Sequence, residues 1–151
     1  SSTRAREAYF VDFAEAMRRE LSIPLMVTGG LRRRDAMNSA LESGCADMVG
    51  IGRPMCVVTD APAQLLSGLD ELPRFEDDLS LLPRGLGFLN RIKTVRTLSA
   101  FATQYWFYEQ IAALGRNGET NRSIGVMAAT KAQTKAATAW LAARRSAPGS
   151  A

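Results

Sequence analysis

Leu25-Met26-Val27-Thr28-Gly29-Gly30 is the stretch that decides the fold. Its first four residues lack polar alternation, as in a short parallel strand buried on both faces. Two glycines then end it abruptly. A second run, Ala46-Asp47-Met48-Val49-Gly50-Ile51, repeats the pattern and leads at once into Gly52-Arg53-Pro54. Between the two, Arg33–Ser43 has helical spacing, with Ala36, Met37, Ala40 and Leu41 expected inward and Gly44 placed as the C′ residue. Upstream, Arg4–Glu20 reads as an amphipathic helix. Tyr9, Phe13, Ala16 and Met17 are expected on its inner face, Thr3 is expected to cap it, and Glu7 lies near its positive end. Ser22-Ile23-Pro24 stops it, because proline disfavours helix at the residue before it. Helix, strand, helix and strand joined by short connections call for an α/β fold with a parallel sheet. Two strands alone cannot form such a sheet with both faces covered, so this part of the chain is expected to belong to something larger.

Beyond Asp60 the pattern changes. Ala61–Leu69 predicts a short helix, and Glu71–Gly87, with Pro73, Pro83, Gly85 and Gly87, predicts irregular chain. A long helix is expected over Phe88–Leu114, broken by Gly115–Gly118. It carries two neighbouring apolar stripes: Ile92, Val95, Ser99, Ala102 and Trp106, and Leu98, Phe101, Tyr105 and Tyr108. Val126–Ala143 is an alanine-rich helix, and Ser146–Ala151 is expected to be a disordered tail.

The chain has 151 residues and no histidine. That excludes imidazole acid/base catalysis, a Ser-His-Asp triad and a histidine-ligated metal. Cys45 and Cys56 are too few for a disulfide framework or a four-cysteine zinc site. The net charge of +4 is uneven: residues 1–69 hold eight basic and eight acidic side chains, residues 70–151 eleven and seven. A basic region suits nucleic acid or an acidic membrane surface. Here the basic residues are dispersed at helical intervals and read as a solvated face, so no nucleic-acid and no membrane partner is expected. Leu98–Leu114, interrupted by Gln104, Glu109 and Gln110, falls short of the ~20 apolar residues a membrane span needs. The first residues form no apolar secretory segment, and a cytoplasmic location is expected; without an initiator Met, residue 1 need not be the true start.

The chemistry concentrates at the two strand ends. Glycine there lets backbone N–H groups approach an anion, and Arg53 adds a guanidinium suited to phosphate. Two adjacent parallel strands delivering Gly29-Gly30 and Gly52-Arg53 make a phosphate cradle. Other candidates are read as structural. Glu76-Asp77-Asp78 is a solvated acidic turn, Cys56 an inert apolar residue, and Trp106 a core side chain. Of Arg32-Arg33-Arg34, Arg32 is closest to the cradle, and the other two are expected to face water. No metal site and no catalytic residue are assigned.

Residues 3–69 also resemble a known family. Arg4–Glu20, Ile23-Pro24-Leu25-Met26-Val27-Thr28-Gly29-Gly30-Leu31-Arg32, Ala36-Met37, Gly44, Ala46-Asp47, Gly50-Ile51-Gly52-Arg53-Pro54, Thr59-Asp60-Ala61-Pro62 and Leu65-Leu66-Ser67-Gly68 resemble the end of the barrel in the old yellow enzyme group of NADH:flavin oxidoreductases. Trp106, Tyr108 and Gln110, with Leu114-Gly115, loosely resemble the C-terminal tail of some relatives. The resemblance implies the C-terminal portion of an FMN-binding (β/α)8 TIM barrel. Its strands 7 and 8 with flanking helices would occupy residues 1–69, followed by a mainly helical extension over 70–145 and the tail at 146–151. It implies an FMN phosphate held by Gly29, Gly30, Gly52 and Arg53, and hydride transfer from NAD(P)H through FMN to an activated alkene or similar small-molecule acceptor. Such a barrel needs about 250 residues. The family's substrate-orienting and proton-donating residues lie on strands that this chain does not contain, and no role passes to Tyr105 or Tyr108. The isolated chain is therefore expected to be inactive, and a homo-oligomer or a missing N-terminal barrel half is an expected partner. Two other readings stand beside this one. The same cradle could take another phosphorylated ligand, or the chain is a non-catalytic product of a truncated or split gene that packs on a partner.

Overall fold

The computed structural model describes residues 2–82, 88 and 91–146. It contains two compact units, Ser1–Arg74 and Phe75–Ala151.

The first unit runs α1 (Ser2–Glu20), β1 (Met26–Thr28), α2 (Arg34–Glu42), β2 (Met48–Gly50), a single 3-10 turn (Arg53–Cys56) and α3 (Ala61–Leu66). β1 and β2 are parallel neighbours, with Met26 opposite Met48, Val27 opposite Val49 and Thr28 opposite Gly50. The parallel pairing follows the sequence pattern. The burial does not: the strands are covered on one face only. Val27 and Val49 pack in a core with Ala14, Met37, Ala40, Ala46 and Leu65, while Met26 and Met48 are each 60% exposed on the other face. A run without polar alternation is suited to burial on both sides, but only α1, α2 and their neighbours are present to cover it.

α1 already includes Thr3, so that residue is not its cap. The expected inner face holds only in part: Phe13 and the partly buried Met17 line an open cleft with Met26 and Val27 of β1. Ala14 is buried and Val11 is packed against the core, whereas Tyr9 is 64% and Phe13 55% exposed and Ala16 is exposed. Arg18 lies on the same face as Val11 and Ala14, and its guanidinium grips both Asp47 oxygens at 2.8 and 3.1 Å. A small residue at position 14 then lets the helix lie close to the sheet. Asp47 also accepts the Leu25 N–H at 2.8 Å. One carboxylate thus ties α1, the start of β1 and the start of β2 at the N-terminal end of the sheet.

The Leu25 N–H first, and then the Arg18 guanidinium, hold the Asp47 carboxyl below its ordinary value of 3.8. A depressed carboxyl contributes stability that is complete above the unfolded value and is lost as pH falls through the folded one. Asp47→Asn should therefore melt below the parent chain at neutral pH. The gap should close as pH drops below about 4, near the unfolded carboxylate value. Thermal melts of both chains from neutral to acidic pH check this, and a gap independent of pH would refute it.

α2 is shorter than expected by one residue at each end. Met37 and Ala40 are buried as expected, but Leu41 is 41% exposed and lines an open apolar cleft with Met48, Val49, Pro62 and Leu65. Gly44 has φ +72° and its N–H bonds the Leu41 carbonyl at 3.0 Å, the left-handed turn its position called for. The chain after α3, which stops at Leu66 rather than Leu69, returns to the unit. Leu72 is buried, its N–H bonds the Arg32 carbonyl at 2.9 Å, and the Arg34 N–H bonds that of Asp70 at 2.8 Å.

The second unit holds α4 (Phe75–Asp78), α5 (Lys93–Asn117) and α6 (Val126–Ser146). α4 is one helical turn inside a segment expected to be irregular, of which residues 83–87 lie outside the described residues. α5 starts at Lys93 rather than Phe88 and passes through Gly115, where a Cβ would meet nothing within 4 Å. Gly118, at φ +74°, ends it. α6 runs to Ser146, three residues past its expected end; the remainder of the expected tail, residues 147–151, lies outside the described residues.

Of the two stripes on α5, the first is buried only at Ala102 and Trp106, with Val95 and Ser99 partly buried and Ile92 51% exposed, and the buried face continues to Glu109, Gln110 and Ala113. The other leaves Leu98, Phe101 and Tyr108 exposed. Glu109 is a buried carboxylate shared between Arg116 and the Gln133 amide of α6, each at 2.5 Å. It locks the two helices in register. No helix among the described residues is long and apolar enough to cross a membrane.

Candidate functional site

The glycine loops leave the same end of adjacent strands. Because Thr28 pairs with Gly50, Gly29-Gly30 and Ile51-Gly52-Arg53 follow the last paired positions side by side. Gly29 and Gly30 have φ of +138° and +75°, backbone that an L side chain rarely adopts. A Cβ on Gly52 would meet nothing within 4 Å, so open space lies directly beside that backbone. Gly50 differs: a Cβ there would lie 2.9 Å from the Thr28 Cβ. It is glycine because the strands approach, a requirement hidden in sequence within a glycine-rich motif. Arg53 is half-buried and opens the 3-10 turn, with Pro54 behind it in the core.

The arginine run is distributed differently from the expectation. Arg32 is 4% exposed and holds an interaction of its own. Arg33 and Arg34, expected to face water, pair with Asp35 at 2.8 Å and Asp70 at 2.7 Å. They line a polar cleft of about 370 Å³ with Asn38 and Glu71. The carboxylates there already neutralise both cations, which leaves that cleft poorly suited to an anion.

Burial pushes the Cys56 thiol above its ordinary value, which reduces its thiolate fraction and reactivity. Cys45 is buried, with Sγ 3.1 Å from the Ala40 carbonyl. Glu76, Asp77 and Asp78 form the turn of α4, and no cluster of three or more potential metal ligands occurs among the described residues. Trp106 is a core side chain, as read from sequence. It is 2% exposed, and its Nε1–H donates to the Ile124 carbonyl at 2.9 Å. Tyr105 and Tyr108 stack edge to face at 6.2 Å on α5. Asp47 and Arg18 were not singled out from the sequence. Their pairing spans 29 positions, which no local spacing signals, and Asp47 entered only as part of a motif.

No family model matches the chain, and no solved structure matches it significantly. Curated relatives do match. NADH-dependent flavin oxidoreductase iccE of Talaromyces variabilis is 27% identical over 114 residues, 75% of this chain and 28% of that protein. NADH-dependent flavin oxidoreductase iliE of Hypocrea jecorina (strain QM6a) is 46% identical over 52 residues, 34% of this chain and 13% of that protein. The iliE protein of Neonectria sp. (strain DH2) is 43% identical over 54 residues, 35% of this chain and 7% of that protein. The matched region spans less than a third of the length of each relative. A match of 114 residues exceeds the 69 that precede Asp70 by 45, so the likeness to iccE must reach at least that far into the region beyond. This chain is a homologue of NADH-dependent flavin oxidoreductases, matched over part of their length and consistent with the C-terminal part of an old yellow enzyme-like protein.

Proposed function

We propose that this chain carries the phosphate-binding end of an FMN site in an NAD(P)H-dependent flavin oxidoreductase. The observation that carries the reading is the register: Thr28 opposite Gly50 sets the Gly29-Gly30 and Gly52-Arg53 loops side by side at one end of a parallel pair. In this reading β1 and β2 are strands 7 and 8 of a (β/α)8 barrel, where phosphate sites recur in the loops after those strands. The open face with Met26 and Met48 is then the side that further strands cover. Backbone N–H groups of Gly29, Gly30, Gly52 and Arg53 bind the phosphate, and the Arg53 guanidinium balances its charge. The open space beside Gly52 fits such a group, since no side chain stands between backbone and ligand. When bound, FMN supplies hydride transfer from NAD(P)H to an activated alkene or similar small molecule. No residue of this chain is given a proton-transfer role. A cytoplasmic setting, a barrel part ending near residue 69, a helical extension beyond it, and assembly with a second copy or an upstream barrel half belong to the same proposal.

The test is an FMN titration of the full chain, and of a longer version that includes upstream coding sequence, followed by flavin absorbance. Binding by either supports the reading, and absence from both overturns it. Gly52→Asp should weaken FMN at least about tenfold, because a carboxylate about 4 Å from a phosphate costs about 4 kcal/mol per charge pair before salt screening. Gly52→Ala should leave binding near the parent value, since its Cβ has room. Displacement of FMN by a sugar phosphate of higher affinity would reassign the ligand.

A further inference from the structure

We infer that the open end of the α5–α6 hairpin is a docking surface for an anionic phospholipid bilayer. The basic residues of this region are dispersed in sequence, but the hairpin gathers them. Glu109 of α5 bonds Gln133 of α6, and the connection Gly118–Gly125 makes the helices antiparallel. From that link, Arg96 lies about 20 Å back along α5 and Arg145 about 18 Å forward along α6, at 1.5 Å per residue. Both therefore reach the same level. Arg91, Lys93 and Arg96 on one arm and Arg144 and Arg145 on the other thus lie toward this end, and all five are exposed.

Nothing acidic offsets them within the two helices at this level. Residues 91–108 and 120–146 contain no Asp or Glu, and Glu109 is buried against Arg116. The helix dipole accounts for Arg144 and Arg145 at the C-terminal end of α6. It works against Lys93 and Arg96 at the positive end of α5, a cost that an external anion would offset.

The same end exposes large apolar side chains. Ile92, Leu98 and Phe101 are exposed on the α5 side, Trp140 and Leu141 on the α6 side. The Arg144 guanidinium lies 4.8 Å from the Trp140 ring centre. Cations beside Trp, Phe and Leu suit the headgroup boundary of an anionic membrane, where rings enter the interface and cations meet lipid phosphates. A nucleic acid would use the charge but leave the aliphatic residues without a partner. A second copy of this end would bring like charge against like charge. The inference is independent of the flavin reading.

The test is co-sedimentation of the full chain with phosphatidylcholine vesicles, with and without phosphatidylserine, at low and high salt. Binding should require phosphatidylserine and fall with salt. Tryptophan emission should shift to the blue, and because Trp106 is already buried the shift reports Trp140. Arg144→Gln and Arg145→Gln should each lower the bound fraction constant by about fivefold. Trp140→Ala should abolish the emission shift and weaken binding. These side chains are exposed, and circular dichroism confirms that each variant is folded. No binding to phosphatidylserine vesicles, equal binding to pure phosphatidylcholine, or variants that bind like the parent would overturn the inference. So would retention by an RNA oligomer with the same variant sensitivity and no vesicle binding.

Discussion

Trp106→Ala should unfold the second unit or bring it close to unfolding. The side chain joins three elements. Its ring lies 6.3 Å from Phe75 of α4 and edge-on to Phe107 at 5.2 Å, and its Nε1–H bonds the Ile124 carbonyl in the α5–α6 connection. Truncation removes the ring, leaves a cavity and strands a carbonyl. Burying an aromatic and then deleting it costs about 3–5 kcal/mol. That is a large part of the 5–15 kcal/mol that holds an ordinary domain together. For a unit of this size each kcal/mol moves the melting temperature by about 4–8 °C. Trp106→Phe should cost less, because the ring is largely replaced and the lost hydrogen bond is worth about 1 kcal/mol. Thermal melts followed by circular dichroism separate the two variants. An alanine variant melting within a few degrees of the parent would mean that the ring is not the anchor of this unit.

The parallel pair was legible in sequence because its signals are local. Two apolar runs end in glycines, and a helix of the right length lies between them. The orientation of helices was not, because periodicity finds faces but not their partners. α5 carries two apolar stripes, and both satisfy the same spacing. In the structure Ala102, Trp106, Phe107 and Ala113 of α5 are buried, as are Val126 and Ala129 of α6. Leu98, Phe101 and Tyr108 of the other stripe stay exposed, which the spacing alone does not tell. On α1 the spacing also gave no sign of a polar contact. Arg18 and Asp47 pair across the first unit, and such a pair is written in two distant places in the chain. The glycine motifs were legible as a possible cradle, but their sequence does not separate the glycine that packing demands from those that leave room for a ligand.

Gly50→Ala makes that separation measurable. A Cβ at position 50 would stand 2.9 Å from the Thr28 Cβ and 3.1 Å from its Oγ1, closer than packed atoms approach. The neighbour is a Cβ fixed to a strand, so backbone must move. Overpacking of this kind costs about 1–3 kcal/mol. The shift falls on the Thr28–Gly50 pair itself, the last rung before both loops. Amide exchange of peptides spanning β1 and β2 should therefore quicken, with the second unit unaffected. Thr28→Gly removes the opposing Cβ and should recover most of the loss in the double variant, a coupling that a double-mutant cycle reads directly. If Gly50 acted by touching a ligand, the second substitution would restore stability but not FMN binding. If it acts by setting the register of the strands, both return together. An alanine variant as stable as the parent would show that the strands relax apart without cost, and the glycine would then have no packing role.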